Sequence, residues 1–183
     1  MSSHSRRKLV QGLLLGPLAV ALPGPAGGQA GAGADSRRIR LHNTHTGETL
    51  ETRYFEHGSY LPVPLGQLDW LLRDHRSGEV MPIDRRLYDL LIELAASAGR
   101  EPHYQVISAY RSPTTNAMLA ARSDGVSSRS LHMEGRAIDV RLEGVPAARL
   151  RDLALARQAG GVGYYPASDF VHLDLGRVRN WSG

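Results

Sequence analysis

The chain of 183 residues contains no cysteine, and this absence constrains both its fold and its chemistry. No disulfide can hold the fold together, so its stability must come from a hydrophobic core. No thiolate is available as a nucleophile or a metal ligand, so any bound metal must be held by His, Asp or Glu. With 42% hydrophobic and 22% charged residues, the composition is that of an ordinary globular protein.

The first 34 residues predict a signal peptide. A basic segment, SRRK at positions 5–8, precedes an apolar run over residues 9–22, and small residues end the leader at positions 32–34. The apolar run is shorter than the roughly 20 residues that a transmembrane helix needs, so we expect no stable membrane span once the leader is removed. Arg6 and Arg7 resemble the pair of a twin-arginine signal, and an ordinary secretory signal is the alternative. Either signal predicts export to the periplasm or cell envelope.

The net charge of +4 belongs mostly to this leader. Residues 1–34 hold three basic residues and no acidic one, so residues 35–183 carry 19 basic against 18 acidic residues. A nearly neutral domain lacks the basic surface that a nucleic-acid backbone requires, and we expect no nucleic-acid partner. About 150 residues is the size of one typical domain. We therefore predict a single domain over residues 35–183.

The pattern of apolar residues predicts an α+β fold with a small, largely antiparallel central sheet flanked by helices. Polar and apolar residues alternate in a predicted hairpin over residues 38–55 and in two closing strands over residues 160–165 and 170–175. Leucines at helical spacing predict two helices, one after Pro64 and one after the candidate N-cap Asp84. Four further elements are predicted between the second of these helices and the closing strands: a strand over 104–110, a helix over 113–121, a strand over 137–142 and a helix over 146–158.

Two of the seven histidines beyond the leader lie in a context that suits a metal site. His132 precedes Gly135, which permits a tight turn that brings the chain back towards Asp139. His172 lies on a predicted strand that places Asp174 on the same face. Two imidazoles and one carboxylate are a common zinc set that leaves a coordination position open for water. On the residues alone, an unrelated coincidence of these side chains is the simpler interpretation. The other five histidines are expected at the surface: His42, His45, His57, His75 and His103.

A resemblance to a known family changes this balance. The motif SxHxxGxAxD at residues 130–139, followed by His172, is similar to the zinc-site signature of the D-Ala-D-Ala metallopeptidases of the LAS superfamily. Residues 108–113, with Asn116, resemble the arginine segment of the same superfamily. Residues 161–174 resemble its YcbK-like branch of murein endopeptidases. The resemblance covers about residues 37–181.

The resemblance implies a LAS metallopeptidase-like fold and a zinc-dependent peptidoglycan hydrolase. Such an enzyme cleaves amide bonds in murein stem-peptide cross-links as an endopeptidase and takes part in cell-wall remodelling. A D,D- or L,D-carboxypeptidase acting on stem peptides is one alternative. A non-catalytic, zinc-stabilised envelope protein that binds peptidoglycan is another. The sequence distinguishes neither a D,D from an L,D bond nor one oligomeric state from another.

The same resemblance implies that three side chains bind zinc: His132, Asp139 and His172. It also implies that Arg111 stabilises the oxyanion that develops on the scissile carbonyl. A fixed guanidinium suits this role, because it places positive charge where negative charge forms. The alternative for Arg111 is a surface arginine that pairs with an acid.

The general base and the substrate contacts are less constrained. The family that the chain resembles often has an acid or a histidine two or three positions before the second zinc histidine. Asp169 stands three positions before His172 and is therefore predicted to take a proton from the attacking water. Its alternative is a turn residue, since Asp is favoured in turns. Asp174 is a rival for the base, or else a partner that orients a ligand histidine. Ser130 and Asn116 are predicted to bind the substrate, or else to shape the local backbone.

Overall fold

A computed structural model describes residues 36–122 and 127–183, and the predicted signal peptide lies outside these residues. The described strands are β1 (Ser36–Asn43), β2 (Thr49–Glu56), β3 (Ser59–Tyr60), β4 (His103–Ser108), β5 (Ala137–Leu142), β6 (Gly161–Tyr165), β7 (Phe170–Asp174) and β8 (Arg179–Ser182). The described helices are α1 (Pro62–Leu71), α2 (Arg85–Ser97), α3 (Pro113–Ala120) and α4 (Ala147–Arg157), together with a 3-10 helix (Leu131–Glu134).

The eight described strands form one sheet in the order β3-β2-β1-β4-β5-β7-β6-β8. Five of its seven neighbouring pairs are antiparallel, and the parallel ones are β1 with β4 and β6 with β8. The predicted α+β fold with a largely antiparallel sheet is therefore confirmed. Asp84 caps α2 as expected, since its side chain accepts a hydrogen bond from the amide of Arg86.

Three short elements differ from the sequence-based expectation. Strands β3 and β8 and the 3-10 helix were not predicted, because two to four residues are too few to show an alternation or a helical period. The predicted strand over residues 104–110 ends at Ser108. Beyond it the chain leaves the ladder, because the Ala109 carbonyl accepts a hydrogen bond from His132 and the Tyr110 amide donates to Leu72.

Alternation along the central strands divides the sheet into two faces. One face packs with helices α2 and α4 to form the hydrophobic core. The strand residues of this core include Ile39, Leu41, Tyr104, Val106, Val140, Leu142, Val171 and Leu173. Asp139 and His172 alternate with these residues and so lie on the opposite face. Within the described residues, no helix has the length and apolar character needed to cross a membrane.

Gly135 fixes the turn that leads from the 3-10 helix into β5. Its φ of 64° lies in the left-handed region, as the predicted tight turn requires. A Cβ at this position would lie 2.5 Å from the carbonyl oxygen of Pro82. The carbonyl of Gly135 accepts a hydrogen bond of 2.9 Å from the amide of Asp84, so the turn also joins β5 to the start of α2.

We predict that Gly135→Ala destabilises the protein more than Gly78→Ala. Gly78 has a similar φ of 79°, but a Cβ there would meet no described atom within 4 Å. Both variants incur the roughly 1–2 kcal/mol of a left-handed non-glycine residue. Only Gly135→Ala must also displace the Pro82 carbonyl, so its free energy of unfolding in urea should fall by about 1 kcal/mol more. Equal losses in the two variants would contradict this account.

Candidate metal centre

The centre is built on a pair of residues that face each other across two central strands. Asp139 on β5 and His172 on β7 are directly opposite in the antiparallel register. Asp139 Oδ1 lies 2.8 Å from His172 Nδ1. His132, from the 3-10 helix, places its Nε2 3.3 Å from the same carboxylate oxygen and 3.2 Å from His172 Nδ1. All three predicted ligands are buried, and the fold brings their donor atoms together.

The spacing of these donor atoms fits a tetrahedral zinc site. Ligand atoms at about 2.0–2.1 Å from zinc, separated by the tetrahedral angle, lie about 3.3 Å from each other. The three observed separations run from 2.8 to 3.3 Å. The same side chains line a cavity of about 410 Å³. Three donors with an open cavity beside them form the set expected of a catalytic rather than a purely structural site.

Hydrogen bonds to the far side of each imidazole determine which nitrogen is free to bind a metal. His132 Nδ1 lies 2.6 Å from the Ala109 carbonyl, which can only accept, so this nitrogen carries the hydrogen and Nε2 keeps its lone pair. His172 Nε2 lies 3.0 Å from Asp174 Oδ2 and donates to it. The nitrogen of His172 that faces the cluster is therefore Nδ1.

Asp174 is held on the side of His172 that faces away from the other two ligands. Arg179 binds it with two hydrogen bonds, of 3.0 Å to Oδ1 and 2.6 Å to Oδ2. Oδ1 also accepts from the amides of Gly161 at 3.1 Å and Gly176 at 2.8 Å. With its acceptor positions occupied, Asp174 is suited to orienting His172. This geometry favours that interpretation over the alternative of a general base.

Arg111 lies in the cavity and binds the ligand carboxylate itself. Its Nη2 donates to Asp139 Oδ2 at 2.6 Å, and its Nε donates to Ser108 Oγ at 2.8 Å. The pairing leaves the other oxygen of Asp139, Oδ1, for the two histidines. Arg111 therefore pairs with an acid and also lines the cavity, and its role at the oxyanion stays a prediction.

Asp169 does not reach this cavity. Its side chain is 72% exposed, and it lines a second cavity beside Gln105 and Arg141. Its φ of 50° and the bond from its amide to the Pro166 carbonyl place it in the turn before β7. Residues an even number of positions from His172 along the strand share its open face, whereas Asp169 lies three positions before it. The structure thus favours the turn interpretation and does not support the predicted role as a base.

The two predicted substrate-binding residues lie in different places. Ser130 lines the cavity, and its Oγ accepts a weak hydrogen bond of 3.4 Å from the amide of His132. Asn116 is buried and is not among the residues that line the cavity. Its Nδ2 donates to the carbonyl of Ser127 at 3.0 Å, so it holds the segment before Ser130 against α3.

An aromatic wall, defined as Tyr165, Phe170 and Trp181, lines the cavity beside His172. Of these residues, the sequence analysis missed Trp181. The indole of Trp181 donates to the Tyr165 hydroxyl at 3.0 Å, and the ring of Tyr165 stacks on Phe170 at 4.5 Å. The Trp181 ring lies 5.1 Å from that of His172. It fits there because its cross-strand neighbour is Gly163, where a Cβ would lie 2.6 Å from the indole. The sequence held no signal for this pairing, because β8 is too short to be predicted.

Burial and charge set the protonation of the three candidate ligands. Burial disfavours the charged form of His172, but Asp139 and Asp174 outweigh it and raise the pKa of His172 to about 9. Burial lowers the pKa of His132. Burial opposes ionisation of Asp139, but the two histidines hold the pKa of its carboxyl far below the usual range. At pH 7 the metal-free cluster thus has an ionised carboxylate, a neutral His132 and a protonated His172.

The fold and the buried His-Asp-His cluster are those expected of a metallopeptidase of the LAS type. A family model described as "Peptidoglycan L,D-endopeptidase MepK" matches residues 31–181. The chain is 41% identical over 179 residues, 97% of each chain, to the peptidoglycan L,D-endopeptidase MepK of Escherichia coli K12. It is 39% identical over 148 residues, 80% of each chain, to the probable peptidoglycan L,D-endopeptidase MepK of Haemophilus influenzae. No solved structure matches it.

The chain therefore belongs to the peptidoglycan L,D-endopeptidase MepK family. Membership confirms the resemblance to the LAS metallopeptidases and makes the protein an enzyme of the peptidase class.

We predict that His172 releases about one proton when zinc binds at pH 7. Its pKa of about 9 means that a proton on Nδ1 competes with the metal at lower pH, so zinc affinity should rise as the pH increases from 6 towards 9. Titration calorimetry in two buffers of different ionisation enthalpy counts the released protons. Asp174→Asn removes one of the carboxylates that raise this pKa, so less proton should be released. A zinc affinity that does not change between pH 6 and pH 9 would contradict the assignment.

Proposed function

We propose that this protein is a zinc-dependent L,D-endopeptidase that hydrolyses amide bonds in peptidoglycan stem-peptide cross-links. The observation that carries the proposal is the triangle of donor atoms, 2.8–3.3 Å apart, in the wall of the cavity. The relatives support the choice of bond, because both are named as L,D-endopeptidases of peptidoglycan. Their names favour an internal cross-link over the chain-end bond of a carboxypeptidase.

Three atoms would hold the zinc ion: His132 Nε2, Asp139 Oδ1 and His172 Nδ1. Zinc bound there supplies a Lewis acid that polarises the scissile carbonyl and makes water a nucleophile at neutral pH. Each histidine is fixed by a hydrogen bond from its other ring nitrogen. His132 donates to the Ala109 carbonyl, and His172 donates to Asp174. Such outer hydrogen bonds fix the orientation of the rings and increase their basicity.

Arg111 is the group that stabilises negative charge on the substrate. Its Nε and Nη2 are fixed by Ser108 and Asp139, which sets the plane of the guanidinium before substrate binds. Its Nη1 makes no hydrogen bond to the described part of the chain and is available to a carbonyl oxygen in the cavity. A donor fixed in advance pays no reorganisation cost as the oxyanion forms.

The cavity offers no separate carboxylate base within the described residues. The two carboxylates that line it are Asp139 and Asp174, and each is already bound by a histidine and an arginine. Asp169 lies outside the cavity. The chain's own contribution is therefore to hold the ligands and the guanidinium, and the aromatic wall packs against the aliphatic part of the peptide.

The proposed substrate also explains the leader. Peptidoglycan lies outside the cytoplasm, and residues 1–34 have the basic, apolar and small-residue regions of an export signal. We propose that this segment exports the protein, with a twin-arginine-like pair at Arg6 and Arg7, and that residues 35–183 work as one zinc peptidase domain in the periplasm or cell envelope.

Digestion of purified muropeptides tests the proposal. The zinc-loaded protein without its leader should convert an L,D-cross-linked dimer to monomers, and His132→Ala should abolish this. Arg111→Ala should lower kcat by about 10²–10³-fold, the loss typical of an oxyanion donor. Asp169→Asn should change kcat by less than about twofold, because its side chain lies outside the cavity.

Two comparison substrates separate the alternatives. A D,D-cross-linked dimer should be cleaved much more slowly, and an uncross-linked tetrapeptide should keep its terminal residue. Preferential removal of that residue would make the protein a carboxypeptidase. A zinc-loaded protein that cleaves none of the three would leave only the non-catalytic alternative.

Chelation should lower thermal stability, because a metal that binds only the folded state stabilises it. We expect EDTA to lower the melting temperature of the zinc-loaded protein and added zinc to restore it. His172→Ala should eliminate this difference. Asp152→Ala is the control, since Asp152 is exposed, pairs with Arg151 and lies on α4, which packs on the other face of the sheet from the centre. A shift of equal size in His172→Ala and Asp152→Ala would contradict the ligand assignment.

A further inference from the structure

The loop that follows α1 contacts the segment that carries Arg111. Asp74 lies in this loop and is 1% exposed. Its Oδ1 accepts hydrogen bonds from the amides of Arg76 at 2.9 Å and Ser77 at 3.5 Å, which close its own turn. Its Oδ2 accepts a hydrogen bond of 2.9 Å from the amide of Ser112. One carboxylate thus joins a loop distant in sequence to the residue that follows Arg111.

Three consecutive amides around Arg111 are bound by two distant parts of the chain, the segment that follows α1 and the 3-10 helix. The amide of Tyr110 donates to the carbonyl of Leu72 at 3.1 Å. The amide of Arg111 donates to the carbonyl of His132 at 3.2 Å. The third amide donates to Asp74, as described above. Because the first two acceptors are main-chain carbonyls, Asp74 is the one side-chain acceptor of the three.

Asp74 is a strong acceptor because it is ionised. Burial opposes its ionisation, but hydrogen bonds from the side chain of Thr115 and from the amides of Ser112 and Arg76 hold the pKa of its carboxyl well below the usual range. Hydrogen bonds to an ionised group are about twice as strong as those between neutral groups. Thr115 lies in the first turn of α3, so the carboxylate also fixes the start of that helix.

We propose that Asp74 is a positioning residue for Arg111. By holding the amide of Ser112, it keeps the main chain of Arg111 where the guanidinium reaches Asp139 and the cavity. This inference rests on the proposed function, in which Arg111 stabilises charge that develops on the substrate. A displaced guanidinium weakens an interaction made in the transition state, so the effect is on kcat rather than on KM.

A double-mutant cycle with Arg111→Ala tests the proposal on the L,D-cross-linked dimer. In the wild-type background, Asp74→Ala lowers kcat by roughly tenfold or more and leaves KM within about twofold. In the Arg111→Ala background, the same replacement lowers kcat by less than about twofold, because the residue through which Asp74 acts is already gone. Equal losses in both backgrounds indicate a general structural role and overturn the proposal.

A second measurement needs neither metal nor activity. The Nε–H of Arg111 donates to Ser108, and its hydrogen exchange can be followed by ¹⁵N NMR after assignment with Arg111→Lys. Exchange is several-fold faster in Asp74→Asn and Asp74→Ala than in the wild type. Asp69→Asn is the matched control, because Asp69 also accepts a main-chain amide, that of Ile83 at 2.9 Å.

Exchange that is unchanged in both Asp74 variants overturns the proposal. If Asp74→Ala does not fold, Asp74→Asn serves for both measurements. A wild-type protein that cleaves no muropeptide refutes the proposed function alone, since the exchange rate still reports whether Asp74 fixes Arg111.

Discussion

The pairing of Asp139 with His172 across β5 and β7 is the interaction on which the rest of the centre depends. Antiparallel register places the two side chains opposite each other, on the face of the sheet away from the hydrophobic core. A shift of one residue in the register of either strand would turn its side chain at this position towards the helices. The alternation that packs Val140 and Val171 into the core therefore also places the two ligands, so folding and assembly of the centre are one event.

Around this pair, each polar group fixes the next. Arg111 occupies one oxygen of Asp139, and Asp174 occupies the far nitrogen of His172. Asp174 is bound in turn by Arg179, and the segment of Arg111 is bound by Asp74. Buried charges are tolerated here because each is paired and hydrogen-bonded. These contacts hold the three donor atoms at separations near those of a tetrahedral site.

The sequence was most informative where a pattern is long or a motif is specific. Alternation predicted the main strands, leucine spacing predicted α1 and α2, and the motif at residues 130–139 predicted the ligands. It was least informative where position depends on tertiary contacts. Asp169 has the spacing of a base but lies in a left-handed turn before β7, and spacing along the chain does not report where such a turn directs a side chain. Trp181 lies on a strand of four residues, too short to reveal that it reaches His172.

The division of the sheet into two faces has a consequence for how such an enzyme meets its substrate. Helices α2 and α4 cover one face, and the candidate metal centre lies on the other. A cross-linked wall is a fixed network whose bonds cannot diffuse into a deep pocket. On the function proposed here, the protein is the mobile partner. It diffuses through the network and presents the open face of its sheet to one cross-link. An insertion on the face covered by α2 and α4 would leave the approach to the centre open, whereas a loop added above β5 and β7 would block it.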